Sequence, residues 1–166
     1  MLRMVMHRYW PKPQAGYSVG ELAIVLSIVG VLSALATPLF VSYYQASRVR
    51  VGAEEVAAFL NQGRQIAIKE NSVVCVHITS TAVQYYVGSS VAGGVCSVTG
   101  LWTGPGTDSA GKIKVPDGIT LATGSDLAFT YLGNAAPGST VTVTNPQGGQ
   151  TLNVAVALSG RVSIGP

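Results

Sequence analysis

The sequence predicts an α+β protein. One long N-terminal helix, apolar in its first half and amphipathic in its second, precedes antiparallel β-structure. Three observations carry this. Residues 22–47 are 26 consecutive residues without a charge. From residue 48 the apolar side chains fall into the i, i+3/i+4 spacing of one helical face. From residue 73 the period changes to short β-prone runs punctuated by Pro and Gly.

The uncharged run reads LAIVLSIVGVLSALATPLFVSYYQAS, from Leu22 to Ser47. At about 1.5 Å per residue it can cross a hydrocarbon core of roughly 30 Å. The net charge is +3 and the pI about 9.0. Arg3, Arg8 and Lys12 lie in the first 16 positions, which hold no acid; from residue 17 onward seven basic residues face seven acidic ones. The basicity therefore belongs to the N-terminal segment and does not indicate a basic domain for nucleic acid. Basic residues before the run and none within it follow the positive-inside rule, so the N-terminus is expected in the cytoplasm and the remainder translocated. With 48% apolar and only 10% charged residues, against about 25% charged in a typical soluble domain, disorder is excluded. The 20 Gly and 8 Pro follow no period, which excludes collagen.

A cleavable secretory signal needs an apolar region of roughly 7–15 residues followed by a small-residue site. Here the run is longer, and Ala34-Leu35-Ala36 lies inside it. Glu21 stands immediately before the run. A carboxylate entering a membrane costs roughly 2.5–3.5 kcal/mol, so it is expected to have a partner and a role.

Beyond Ser47, Val49, Ala53, Val56, Leu60, Gly63 and Ala67 share one helical face, flanked by Phe59 and Ile66. Arg48, Arg50, Glu54, Glu55, Arg64, Lys69 and Glu70 fall largely elsewhere, so this half is expected to lie on a folded unit. Pro38 is expected to kink the helix by removing one backbone bond, and Asn71-Ser72 to end it. Residues 18–70 correspond to about 80 Å of helix.

The expected strands are Val73–Ile78, Val83–Val87, Lys112–Val115, Ile119–Ala122, Leu127–Leu132, Thr140–Thr144, Leu152–Leu158 and Arg161–Ile164. Thr79-Ser80-Thr81-Ala82 is a hairpin candidate. Breaks at Gly104-Pro105-Gly106, Pro116-Asp117-Gly118, Ala136-Pro137-Gly138 and Pro146-Gln147-Gly148-Gly149 argue for antiparallel sheets. No linker separates helix from strands, so the two are expected to share one core.

The stretch Gly16-Tyr17-Ser18-Val19-Gly20-Glu21-Leu22-Ala23-Ile24-Val25-Leu26 resembles the class III signal of type IV prepilins and pseudopilins. The resemblance implies that a prepilin peptidase cuts a basic leader after Gly16 and methylates Tyr17, where the family usually has Phe. It implies that Glu21, the fifth mature residue, pairs with the N-terminal amine of a neighbouring subunit during filament assembly. In hydrocarbon such a pair compensates two otherwise costly charges. The alternative role for Glu21 is to complement the helix macrodipole from the first turn. Gly20 departs from the usual branched aliphatic residue and weakens helix propensity by up to about 1 kcal/mol.

The rest of the chain resembles the GspH/FimT family, the minor pseudopilin H of type II secretion and the minor pilin FimT of type IV pili. The residues that carry this are Arg64-Gln65-Ile66-Ala67-Ile68 at the helix end, Phe129-Thr130-Tyr131-Leu132-Gly133, and Val154–Leu158 running through Ser159 into Gly160-Arg161-Val162. The resemblance implies a pilin-like fold with two β-sheets on the C-terminal half of the helix. The implied organisation is a cleaved leader over 1–16, a transmembrane half-helix over 17–47 and a periplasmic unit over 48–166. The implied role is a minor structural subunit of a type II secretion pseudopilus or type IV pilus, single-pass in a bacterial inner membrane, acting in filament initiation, tip assembly and protein secretion. Its partners would be other pilins or pseudopilins, the prepilin peptidase and the inner membrane.

A second function class is a DNA-binding minor pilin serving natural transformation, with Arg161, Lys112 and Lys114 as candidate nucleic-acid contacts. FimT-like members carry Gly-Arg-x-Arg near the C-terminus; here Gly160-Arg161-Val162-Ser163 lacks the second Arg. Over 71–166 three basic residues face Asp108, Asp117 and Asp126, a poor arrangement for neutralising several phosphates together.

Cys75 and Cys96 are candidates for a bridge, with free thiols as the alternative. Closing the intervening loop contributes roughly 3 kcal/mol in the chain-entropy model. With His77 they match no zinc spacing, so no metal is expected. No Gly-x-Ser-x-Gly elbow, phosphate-binding Gly-x4-Gly-Lys-Ser/Thr loop or carboxylate cluster is present, so no catalytic residue and no cofactor is expected. Asp108, Asp117 and Asp126 are expected to bond their own turns.

Overall fold

The computed structural model describes residues 16–166; the leader positions Arg3, Arg8 and Lys12 lie outside the described residues. Two compact units are separated after Phe40. One helix, α1 (Val19–Lys69), contributes residues to both.

In the first unit every residue from Gly16 to Phe40 is exposed. Among the described residues α1 is the one helix long and apolar enough to cross a membrane. Two hydroxyls in this segment are satisfied by the helix itself. Ser27 Oγ donates to the Ile24 carbonyl and Thr37 Oγ1 to the Ser33 carbonyl, both at 2.7 Å, which removes the cost of an unpaired hydroxyl in hydrocarbon. Pro38 lies inside the helix; it offers no amide to the turn before it.

The second unit, Val41–Pro166, combines the rest of α1 with strands β1 (Val74–Ile78), β2 (Ala82–Val87), β3 (Val91–Ala92), β4 (Val95–Cys96), β5 (Lys112–Lys114), β6 (Thr120–Thr123), β7 (Leu127–Phe129), β8 (Ser139–Thr144), β9 (Thr151–Val156) and β10 (Val162–Gly165). They form one four-stranded sheet in the order β5-β2-β1-β7, a second in the order β10-β9-β8-β6, and a small β3-β4 ribbon. All pairings are antiparallel, as the Pro/Gly punctuation predicts.

The expected helical face is the buried one. Val49, Ala53, Val56, Leu60 and Ala67 are at most 1% exposed and pack with Val76, Val83, Leu127 and Phe129 of the first sheet and Val141, Val143 and Val154 of the second. Two small residues set the approach. A Cβ at Gly63 would stand 3.0 Å from Val76 and 3.2 Å from Tyr85, and one at Gly52 would stand 3.2 Å from Ile119. The helix ends in a Schellman motif. Asn71 takes φ 47°, its amide donates to the Ile68 carbonyl, and the Ser72 amide donates to the Ala67 carbonyl.

The β-prone runs all become strands, but several stop early. Leu127–Leu132 ends at Phe129 because Gly133, at φ 80°, turns its amide back onto the Thr130 carbonyl. Leu152–Leu158 ends at Val156 because Gly160, at φ 76°, does the same onto Ala157. Strands β3 and β4 are absent from the sequence reading. At two residues each, around Gly93-Gly94, they are too short to show a period of two.

Candidate assembly site and its surroundings

Tyr17 and Glu21 are both exposed, Tyr17 at 87%. Glu21 Oε2 accepts the Ser18 amide at 3.1 Å, and Ser18 Oγ accepts the Gly20 amide at 3.3 Å. This is a capping box: Ser18 caps the helix and Glu21, three residues on, reaches back. The spacing Ser18-x-x-Glu21 would have predicted it, and the sequence reading left it out. Glu21 thus satisfies its own helix end while remaining open to a second partner.

Cys75 and Cys96 are bridged, with Cα atoms 5.8 Å apart. The bridge ties the β3-β4 ribbon to the outer face of the first sheet, where Cys75, Tyr86, Cys96 and Ala128 form a separate buried cluster. Asp126 lies beneath it, and this corrects the expectation that the residue bonds only its own turn. Its side chain is buried. Oδ1 accepts the Ile78 amide at 3.1 Å, Oδ2 accepts the Cys96 amide at 2.9 Å, and His77 Nδ1 lies 2.7 Å from Oδ2. One carboxylate therefore holds β1, the ribbon and His77 together, through partners that are remote in sequence. Asp108 behaves as expected. Its Oδ1 accepts the amides of Ala110 and Lys112 at 2.9 and 2.8 Å. The Lys112 amide bond foremost, helped by Ala110 and the Lys112 and Lys114 charges, holds this carboxyl below its ordinary value. Asp117 uses its main-chain carbonyl, which accepts Arg48 Nη2.

The family-like motifs, separate in sequence, converge. A Cβ at Gly133 would stand 2.8 Å from Arg64 Nε. One at Gly160 would stand 1.9 Å from the Gly133 carbonyl and 3.2 Å from Arg64 Nε. Both glycines are buried. The end of α1 and the two turns after β7 and β9 thus meet at one point, with no room for side chains on either turn.

The candidate nucleic-acid contacts do not converge. Arg161 adjoins Gly160 and so lies at the level of Arg64. Lys112 and Lys114 lie on β5 and line, with Thr79, Thr81, Pro116, Asp117, Gly118 and Ile119, an open cavity of about 360 Å³. Ile119 packs at Gly52 and Gly118 at Arg48. Twelve helical residues, about 18 Å, separate the Gly52 level from Arg64.

Residues 52–160 match the family described as type II transport protein GspH. Two curated fimbrial proteins of Pseudomonas aeruginosa are each 34% identical over 77 residues, covering 46% of this chain and 49% of theirs. The chain thus spans about half the length of the curated relatives it matches. Among solved structures, the minor pseudopilin EpsH from the type 2 secretion system of Vibrio cholerae aligns with a TM-score of 0.50 at 11% identity, over 70% of this chain and 95% of that one. The type IV minor pilin FimU of Pseudomonas aeruginosa aligns at 0.49 with 14% identity, over 75% and 92%. At 11% identity the likeness to EpsH is one of fold: a long N-terminal helix on antiparallel sheets.

Proposed function

The chain belongs to the type II transport protein GspH family, and on that premise we propose that it is a minor structural subunit of a type II secretion pseudopilus or type IV pilus. It acts in filament initiation and tip assembly. The prepilin peptidase cleaves after Gly16 and methylates Tyr17. The mature chain sits in the inner membrane through residues 17–47, with residues 48–166 in the periplasm, and Pro38 kinks the anchoring helix. Glu21 pairs with the amine of a neighbouring pilin as the subunit enters the filament.

The observation that carries this reading is the form of the α1 start. An exposed aromatic residue and an exposed carboxylate stand four residues apart at the head of a helix that carries no charge from Leu22 to Ser47 and whose later residues pack in the folded core. Cleavage before Tyr17 leaves an amine and a carboxylate at the membrane surface, each costly alone and compensated as a pair. The capping bond from Glu21 to the Ser18 amide orders this turn before the neighbour arrives.

Intact-mass analysis of membrane-extracted protein tests the processing; the expected terminus is methylated Tyr17. A terminus at Thr37, or a retained leader in cells with active prepilin peptidase, overturns it. Glu21→Ala is expected to leave cleavage and the second unit unchanged while blocking incorporation into the filament. Wild-type secretion or piliation by this variant removes the pairing role.

A further inference from the structure

The end of α1 and the turns after β7 and β9 enclose a cation that the second unit leaves unanswered. Arg64 Nε is fully buried and has no hydrogen-bond partner, and Thr130 Oγ1, at the start of the turn after β7, is in the same condition. Gly133 and Gly160 close over that nitrogen, with Cβ positions 2.8 and 3.2 Å from it. A buried donor without a partner is costly; here the two turns fix the guanidinium in place. Arg64 as a whole is partly exposed, so its terminal amino groups are the donors left open. Among the described residues no carboxylate lies within ion-pairing distance of Arg64, or of the exposed Arg161 that adjoins Gly160. Lys69 and Glu70, the other charges at this end of α1, stand 4.0 Å apart and offset each other.

The surface around this cation is apolar. Ile68 Cδ1 lies 3.2 Å from the Gly133 Cβ position. Tyr131 and Leu132 precede Gly133 in the same turn. Leu158 lies in the turn after β9, and its carbonyl accepts the Ala135 amide. These four side chains are 50–68% exposed, and clustered exposed apolar side chains mark docking surfaces. The planar fork of a guanidinium matches the two oxygens of a carboxylate. Apolar walls strengthen such a pair by excluding water. A nucleic acid presents a row of phosphates and calls for several cations with little apolar surface; two cations among four apolar groups suit a protein carboxylate instead.

We infer that Arg64 and Arg161, with the rim of Ile68, Tyr131, Leu132 and Leu158, form a docking surface for a partner protein that presents a carboxylate flanked by apolar side chains. Every residue of this surface belongs to the second unit. The partner's carboxylate supplies the charge that Arg64 lacks, and its apolar neighbours cover the rim.

The test uses the full chain in detergent and two peptides, Ser-Leu-Glu-Leu-Ser and Ser-Leu-Gln-Leu-Ser. Each carries an uncharged dye and an amidated C-terminus, so that Glu is the one carboxylate. Fluorescence anisotropy is expected to show the Glu peptide binding about fivefold or more tightly than the Gln peptide. Arg64→Gln is expected to bring the two to parity. Leu132→Ser and Leu158→Ser change exposed positions, so thermal unfolding is expected to be unaltered, while the Glu peptide binds about threefold more weakly. These two variants decide the matter if Arg64→Gln fails to fold. Equal binding of the two peptides by the native chain overturns the proposal, as does a preference for Glu that survives Arg64→Gln or is untouched by both Leu variants. A DNA duplex that binds more tightly than the Glu peptide, and loses that binding with Arg64→Gln, overturns the protein partner in favour of nucleic acid.

Discussion

His77 Nδ1 and Asp126 Oδ2 lie 2.7 Å apart across 49 residues of sequence. The same carboxylate holds the amides of Ile78 and Cys96. A buried carboxylate with three donors is stable because each donor replaces water it has lost, and it is costly to alter for the same reason. Asp126→Asn turns one acceptor into a donor that faces another donor. The expected loss is about 2 kcal/mol, read as a lower urea midpoint for the detergent-solubilised chain with its disulfide intact. An unchanged midpoint refutes the clamp.

The disulfide closes a sequence separation of 21 residues. Replacing both Cys75 and Cys96 by Ser is expected to cost about 3 kcal/mol in the chain-entropy account. Because Asp126 and the bridge hold the same ribbon, the two losses are expected to fall short of additive in a double-mutant cycle. Strict additivity means that the ribbon is not their shared target.

Gly160 is the position where the backbone leaves least choice. Its φ is 76°, and a Cβ there would stand 1.9 Å from the Gly133 carbonyl. Gly160→Ala is expected to cost more than about 3 kcal/mol. Gly106, at φ 89° with nothing within 4 Å of its Cβ position, supplies the comparison. Gly106→Ala carries only backbone strain, about 1–2 kcal/mol. Thermal unfolding of the two variants separates crowding from strain; equal losses remove the close approach as the cause.

Tyr85 is fully buried and donates to the Phe59 carbonyl at 2.8 Å. Burial pushes its hydroxyl well above the ordinary value of 10.0. A raised value in the folded state means that this contribution is whole below pH 10.0. It is lost as pH climbs from there toward the folded value, since only the unfolded chain releases the proton. Tyr85→Phe is expected to cost about 1 kcal/mol near neutrality and to lessen the loss of stability in alkali. Parallel pH profiles for variant and wild type, measured by thermal unfolding, contradict the assignment.

The order of elements was open to sequence reading because each rests on a local signal. The uncharged run of 26 residues reports a membrane-length helix. The spacing of Val49, Ala53, Val56, Leu60 and Ala67 reports the face that becomes the core, since a 3.6-residue period puts those side chains on one side whatever packs there. Gly16, Tyr17 and Glu21 were legible as a motif for the same reason. Only the tertiary structure decided which distant groups meet. The Asp126 partners His77 and Cys96 come from strands brought together by pairing, and no local pattern distinguishes that carboxylate from the turn-bound Asp108. Arg64, Gly133 and Gly160 read as three separate motifs until the turns after β7 and β9 closed on the helix end. Arg161 and the lysines of β5 read as one basic set until the sheet register sent the lysines to the level of Gly52 and left Arg161 at the level of Arg64. Charge composition counts groups without regard to place, while phosphate recognition depends on how far apart they stand.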